Sequence, residues 1–219
     1  MIPLADDTRR PARFPIVTTS IIVVNFVVFL VELSQSDAFI TRWSVIPAHI
    51  VAGRDWITIL TGMFMHASWM HIIGNMIFLW AFGPEIEDAM GPARYLIFYL
   101  LGGVVAMSAQ VFVDPASTVP NLGASGAIAA VMGGFLVTFP RDRIKTIIFL
   151  GFFFTIWAVP AILLIGIWFL TQLFSPGAFA TTSTGGIAYM AHVGGFIFGA
   201  ATVRLFEDRS RLEERLTGY

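Results

Sequence analysis

The chain has 219 residues, of which 57% are hydrophobic and 12% are charged, against about 25% charged residues in a typical soluble domain. The formal net charge of −1 carries no polybasic character and argues against nucleic acid as a partner. The absence of cysteine excludes disulfides, iron–sulfur clusters, thiolate metal sites and a cysteine nucleophile. We therefore predict an all-α polytopic membrane protein that resides in the lipid bilayer.

Apolar runs divide the chain into three parts. Residues 1–14 are polar and basic and predict a flexible cytoplasmic head, residues 15–205 hold the membrane domain, and residues 206–219 predict a charged cytoplasmic tail. The membrane domain contains six apolar segments, each of which we predict to be a transmembrane helix. In chain order they are residues 15–33, 67–82, 93–113, 125–139, 157–173 and 186–205.

Three connecting segments have their own character. Residues 34–64 mix aromatic and aliphatic side chains with charges, and they predict amphipathic pieces that lie in the membrane interface. Residues 83–91 combine glycine, proline and acidic residues and predict a compact turn. Residues 146–156 belong to an apolar stretch too long for one helix, and a helix, a strand and a re-entrant loop all remain open there.

The distribution of basic residues predicts the orientation. Six spans place both termini on one side of the membrane. Of the lysines and arginines, only Arg42 and Arg54 then fall on the opposite side. Because basic residues favour the cytoplasmic side, we expect both termini in the cytoplasm and the protein in the plasma (inner) membrane.

Polar residues inside the predicted spans are the functional candidates, because their exposure to lipid is costly. The fourth span is roughly 22 Å long against a hydrocarbon layer of about 30 Å, so Ser125 at its start lies roughly 8 Å below the outer surface. The same arithmetic puts His71, Asn75 and His192 at depths of roughly 6 to 12 Å. We expect these four side chains to share one pocket that opens to the outer face.

Serine and histidine together suffice for nucleophilic acyl transfer. We predict that Ser125 is the nucleophile and His192 the base of a catalytic dyad, since no carboxylate is expected at that depth to complete a triad. The Ser125 backbone N–H, His71 and Asn75 are suitable donors for an oxyanion. Ser125 could instead be a small residue of helix packing. His66, His71 and His192 could bind zinc, but no His-Glu-x-x-His motif supports a metal, and we predict no metal or other cofactor.

The chain resembles the rhomboid intramembrane serine proteases of the prokaryotic six-span type over roughly residues 15–205. Each motif alone is weak evidence for this family, but the order and spacing of all four together are specific to it. The motifs are Gly123-x-Ser125-Gly126, Ala191-His192-x-x-Gly195-x-x-x-Gly199, His66-x4-His71-x3-Asn75 and Gly83-x-x-x-Glu87-x-x-x-Gly91.

The resemblance implies that Ser125 and His192 form the dyad and that His71 and Asn75 assist the oxyanion. It assigns His66 to ordering the 34–64 loop and structural roles to Glu87, Gly195 and Gly199, the two glycines by allowing spans four and six to pack closely. Two positions depart from the family pattern. Trp56-Ile57 replaces a common Trp-Arg pair, and Ala129 stands where some members have an aromatic against the catalytic histidine, so another residue must hold the ring of His192.

The family implies single-span membrane proteins as substrates, cleaved near the outer end of a span that first unwinds. We expect the loop 175–185 to cap the pocket and to move with the fifth span. Two other classes of function stay open at this point. One is a catalytically inactive rhomboid-like protein that binds transmembrane clients, and the other is a small transporter or channel, which would require polar residues along a continuous path.

Overall fold

The computed structural model describes residues 1–151, 153–174 and 189–217. Helices dominate this part of the chain, and one small antiparallel sheet accompanies them. A single 3-10 turn, Gly62–Phe64, follows the fourth helix. The elements in chain order are β1 (Ile2–Asp6), α1 (Ile16–Glu32), α2 (Asp37–Trp43), α3 (Pro47–Val51), α4 (Thr58–Thr61), α5 (Trp69–Met90), α6 (Pro92–Val113), α7 (Ser125–Thr138), β2 (Arg143–Leu150), β3 (Phe153–Pro160), α8 (Ala161–Phe174), α9 (Tyr189–Phe206) and α10 (Arg209–Thr217).

Six of the described helices have 14 residues or more, and each overlaps one predicted span. Within the described residues, α6 alone is both long and apolar enough to cross a bilayer, whereas α1, α7 and α8 are shorter apolar helices. The count of six spans therefore stays a prediction. The starts of α1, α6 and α7 lie within one residue of the predicted starts.

The predicted turn at residues 83–91 is wrong. Helix α5 continues through Pro84 as far as Met90, and it ends where Gly91 takes a φ of 79°. Proline in a helix interior removes one backbone hydrogen bond and is unfavourable there. Every residue from Ala81 to Met90 is buried, so tertiary packing outweighs this local preference.

The all-α prediction also needs correction, because β1, β2 and β3 form a sheet in that order. β2 and β3 are an antiparallel hairpin that runs from the Arg143–Pro160 pair to the Leu150–Phe153 pair. This assigns strand structure to most of residues 146–156, and it moves the start of the fifth helix from the predicted residue 157 to Ala161. Aromatic and β-branched residues, which favour strands, fill this stretch.

The first part of the N-terminal head, Ile2–Asp6, is a strand. β1 pairs antiparallel with β2, with Ile2 opposite Ile147 and Asp6 opposite Ile144. Two ion pairs accompany the pairing, from Lys145 to Asp7 at 2.9 Å and from Arg9 to Asp142 at 2.8 Å. The division of the chain after residue 14 stays a prediction.

Helix α7 is the centre of the helical core. Eleven of its 14 residues are buried, and it packs against α5, α6 and α9. The contact with α9 is backbone against backbone, since a methyl group at Gly199 would overlap the carbonyl of Ala130 and one at Gly195 would overlap that of Gly126. The close α7–α9 packing predicted for Gly195 and Gly199 is thus present.

The segment 34–64 forms short helices that are tied to the residues before α7. Val45 and Asn121 exchange two backbone hydrogen bonds of 2.9 and 2.7 Å. The N–H of Gly123 donates to the carbonyl of Gly62 at 2.8 Å. These bonds hold the chain just before Ser125 against the 3-10 turn.

Candidate active site

Ser125 is the first residue of α7, and the chain reaches it through a constrained loop. Gly123 adopts a φ of 125°, which L side chains rarely adopt, and Ala124 precedes the helix in a helical conformation. The first N–H groups of a helix have no intrahelical partner, so the start of α7 presents backbone donors around the serine hydroxyl. A hydroxyl at a helix N-terminus lies where negative charge is favoured.

His192 lies in α9 and is 7% exposed. Its Nε2 is 2.7 Å from the Oγ of Ser125. The pair meets because α9 crosses the first turn of α7 with Gly195 against the carbonyl of Gly126. The structure therefore brings together the two residues that the sequence singles out as nucleophile and base.

His71 and Asn75 lie one turn apart on the first half of α5. Ser68 caps this helix by accepting the N–H of His71 at 3.2 Å. A methyl group built at Gly123 would lie 2.7 Å from Nε2 of His71 and 3.6 Å from Nδ2 of Asn75. Both predicted oxyanion residues thus lie against the loop that leads into the serine.

His66 and Glu32 complete the polar cluster. Asn75 Nδ2 is 2.9 Å from Nε2 of His66. The backbone N–H of His66 donates to both carboxylate oxygens of Glu32, at 3.2 and 3.1 Å. The expectation that no carboxylate shares this level is therefore wrong, although the hydrogen bonds of the His192 ring go to Ser125 and Gln172 rather than to an acid.

Gln172 and Trp168 are the site residues that the sequence argument missed. Gln172 Oε1 is 2.7 Å from Nδ1 of His192, and the Trp168 ring lies 5.7 Å from the imidazole at 43°. Both belong to α8, whereas Ala129, where some members of the family were expected to carry an aromatic, is fully buried. The sequence signal that could have found them is an amide in a helix that is apolar apart from Thr171, with an aromatic four residues earlier on the same face.

The remaining predicted residues have separate surroundings. Glu87 binds the first turn of α1 rather than Ser125 or His192. Within the described residues, no group of three histidine or acidic side chains is placed to hold a metal ion. The proposed capping loop 175–185 lies outside the described residues.

Comparison with known proteins gives the family. A model of the rhomboid domain matches residues 53–208, which is most of the chain. The chain therefore belongs to the rhomboid family, whose members are integral membrane proteins.

Individual relatives are distant. The chain is 26% identical to "Rhomboid protein 1, mitochondrial" of Saccharomyces cerevisiae over 80% of its own length and 49% of the yeast protein. It is 31% identical to "Putative rhomboid protease YdcA" of Bacillus subtilis, over 39% of this chain and 43% of that protein. A third relative, "Rhomboid protease GluP" of the same bacterium, is 31% identical over 43% of this chain and 18% of its own length. The matches thus span half or less of the length of these relatives.

Proposed function

We propose that this protein is an intramembrane serine endopeptidase that cleaves membrane-protein substrates near the outer end of a transmembrane segment by a Ser-His dyad. The observation that carries the proposal is the 2.7 Å contact between Ser125 Oγ and His192 Nε2 at the start of α7. Family membership and relatives named as proteases support the same chemistry. A packing role for Ser125 would not require an imidazole nitrogen aimed at its hydroxyl.

The proposed reaction begins when His192 Nε2 takes the proton of the Ser125 hydroxyl as Oγ attacks the scissile carbonyl carbon. The resulting tetrahedral intermediate collapses by breaking the C–N bond, and the imidazolium gives its proton to the departing amine. A water molecule then attacks the acyl-enzyme with His192 again as base. This second step releases the new carboxyl terminus and restores the serine hydroxyl.

The negative oxygen of the intermediate needs donors close to the nucleophile. The Ser125 N–H lies at the first position of α7, and the ring of His71 and the amide of Asn75 lie against Gly123. One N–H of Asn75 is directed at His66, which leaves the second N–H of the same amide for the oxyanion. His66 and Glu32 therefore act by holding the Asn75 side chain in place.

The membrane arrangement is part of the proposal. We place six helices across the bilayer, both termini in the cytoplasm of a plasma membrane, and the dyad open to the outer face, because basic residues cluster on the side of the termini. Single-span proteins are the proposed substrates. Their helix must unwind before cleavage, since a helical carbonyl is already hydrogen-bonded.

The test is cleavage of a single-span reporter by the purified protein reconstituted in liposomes. Ser125→Ala and His192→Ala should each abolish cleavage. The matched changes Ser108→Ala, at an exposed position, and His49→Ala, at a half-buried position, should leave it unchanged. A fluorophosphonate probe should label the wild type but not Ser125→Ala. Cleavage that survives Ser125→Ala would overturn the proposal. Binding of the reporter without cleavage by the wild type would favour the client-binding alternative.

A further inference from the structure

The last two turns of α8 supply two contacts to His192 that the dyad chemistry does not by itself require. Trp168 and Gln172 are one turn apart and therefore share a face of α8. Trp168 lies beside the imidazole ring, and Gln172 Oε1 lies 2.7 Å from its Nδ1. Gln172 is 9% exposed, and a buried amide is costly unless its polar atoms are bonded.

The orientation of the Gln172 amide follows from its other partners. Its Nε2 donates to the carbonyl of Trp168 at 3.3 Å and to the hydroxyl oxygen of Thr171 at 3.1 Å. The Thr171 hydroxyl gives its own hydrogen to the Trp168 carbonyl at 2.6 Å, so its oxygen acts as the acceptor in the contact with Gln172. The Trp168 carbonyl and the Thr171 hydroxyl both bind the amide nitrogen of Gln172, so the amide oxygen is the atom that faces His192.

An amide oxygen at Nδ1 determines which imidazole nitrogen carries the proton. The oxygen can only accept, so Nδ1 must be the protonated nitrogen of neutral His192. Nε2 then carries the lone pair, and Nε2 is the atom that faces the Ser125 hydroxyl. With the opposite tautomer, His192 could not accept the serine proton, and Nδ1 would present a lone pair to the Gln172 oxygen.

We propose that Gln172 is the positioning residue of the dyad, holding His192 in the tautomer and orientation that the reaction needs. This inference rests on the proposed function and assigns Gln172 the orienting task that a carboxylate performs in a Ser-His-Asp triad. A neutral amide suits this position because its burial costs less than that of a carboxylate. When His192 becomes an imidazolium, the same oxygen continues to accept from Nδ1. Trp168, whose ring lies 5.7 Å from the imidazole and is tilted by 43° to it, restricts the His192 ring in place of the aromatic that Ala129 does not provide.

The test compares Gln172→Leu, which removes the acceptor, with Gln172→Glu, which retains an acceptor oxygen at the same distance along the side chain. The matched control is Gln110→Leu, the same chemical change in α6. For Gln172→Leu we expect kcat for reporter cleavage to fall about 10- to 100-fold with KM within twofold, because the base is misoriented while the substrate site is intact. Gln172→Glu should restore most of kcat, and Gln110→Leu should match the wild type.

A second measurement does not depend on catalysis. Nitrogen NMR of histidine-labelled protein, with the His192 signals assigned by their loss in His192→Ala, reports which ring nitrogen is protonated. The wild type should show the Nδ1–H form, and Gln172→Leu should show a mixture of both tautomers.

The outcomes separate the two proposals. Gln172→Leu with kcat within twofold of the wild type, Gln172→Glu as impaired as Gln172→Leu, or an unchanged tautomer in Gln172→Leu would each overturn the role of Gln172. Survival of cleavage in Ser125→Ala would instead overturn the dyad, and the tautomer measurement would still decide whether Gln172 orients His192.

Discussion

The carboxylate of Glu87, in α5, accepts both the backbone N–H and the hydroxyl of Thr18 at 2.8 Å each, and it also accepts the N–H of Val17 at 2.8 Å. Helix α1 has no side-chain cap of its own, because Pro15 stands at its N-cap position. Glu87 thus serves as the missing cap from another helix, and its negative charge lies at the positive end of the α1 dipole. The first turn of α1 is therefore stabilised by a carboxylate 69 residues beyond Thr18 in the chain.

Glu87→Gln should therefore destabilise the protein more than is usual for a substitution between side chains of nearly the same shape. The amide keeps one acceptor oxygen but turns an NH2 group toward backbone donors that are already buried. We expect a loss of about 2 kcal/mol or more in the free energy of unfolding, since hydrogen bonds to charged groups contribute about 1.5–3 kcal/mol. Thr18→Val, which removes only the hydroxyl donor, should cost about 1 kcal/mol. Denaturant unfolding in detergent measures both, and equal stability of Glu87→Gln and the wild type would contradict the capping role.

The backbone contact between α7 and α9 should make the stability of the protein sensitive to any side chain at Gly199. At Gly199 an alanine methyl group would overlap the carbonyl of Ala130, and a backbone atom cannot move aside without separating the helices. Gly199→Ala should lower the unfolding free energy by about 3 kcal/mol, at the upper end for an overfilled core. Gly166→Ala is the matched control, because that position in α8 has open space and alanine favours a helix by about 0.5–1 kcal/mol. Similar stabilities of the two variants would show that the close contact is not required.

Particular residues show why sequence reasoning reached the dyad. The depth of Ser125 is predictable because Pro140 and Arg141 fix the end of the fourth span and the length of the span then sets how far below the surface the serine lies. The same depth arithmetic placed His192, and the two side chains are in contact. Depth is a one-dimensional quantity, however, and it does not say which helix faces which.

The missed features depend on that lateral arrangement. Gln172 is a single amide in an apolar helix, and nothing periodic in the sequence points it at His192 rather than at another neighbour. The pairing of β1 with β2 joins residues about 140 positions apart, and five residues of β1 carry too little pattern to predict their partner. The continuation of α5 through Pro84 likewise follows from burial among α1 and α6, which overrides the turn-forming residues.

Gly123 allows a test of the loop before the serine. Its φ of 125° strains any other residue, and an alanine methyl group would collide with the His71 ring. Gly123→Ala should reduce kcat by at least about tenfold, because it displaces His71, a proposed oxyanion donor, and the chain leading to Ser125. Gly53→Ala shares the positive φ, at 76°, but meets no atom within 4 Å. A comparable loss of stability in both variants with a loss of activity only in Gly123→Ala would support the arrangement, whereas full activity of Gly123→Ala would contradict it.

The pairing of β1 with β2 should depend on pH through Asp6. Burial raises the pKa of Asp6 to about 6, and the nearby carboxylate of Asp142 acts in the same direction. A carboxyl whose pKa is raised on folding stabilises the fold when it is protonated. Its contribution is fully present below its unfolded pKa of about 4 and is lost as the pH rises through about 6.

Hydrogen exchange of the β1 amides, corrected for intrinsic rates, measures this dependence directly. Protection of Ile2–Asp6 should fall between pH 4 and pH 7, while protection in the buried α7 should stay constant over the same range. Asp6→Asn is the control, because an amide oxygen can still accept the Thr8 N–H, which donates to Asp6 at 2.7 Å, but the side chain no longer titrates. The variant should show flat protection in β1. Protection of β1 that rises with pH in the wild type, or falls equally in Asp6→Asn, would exclude Asp6 as the group that controls the pairing.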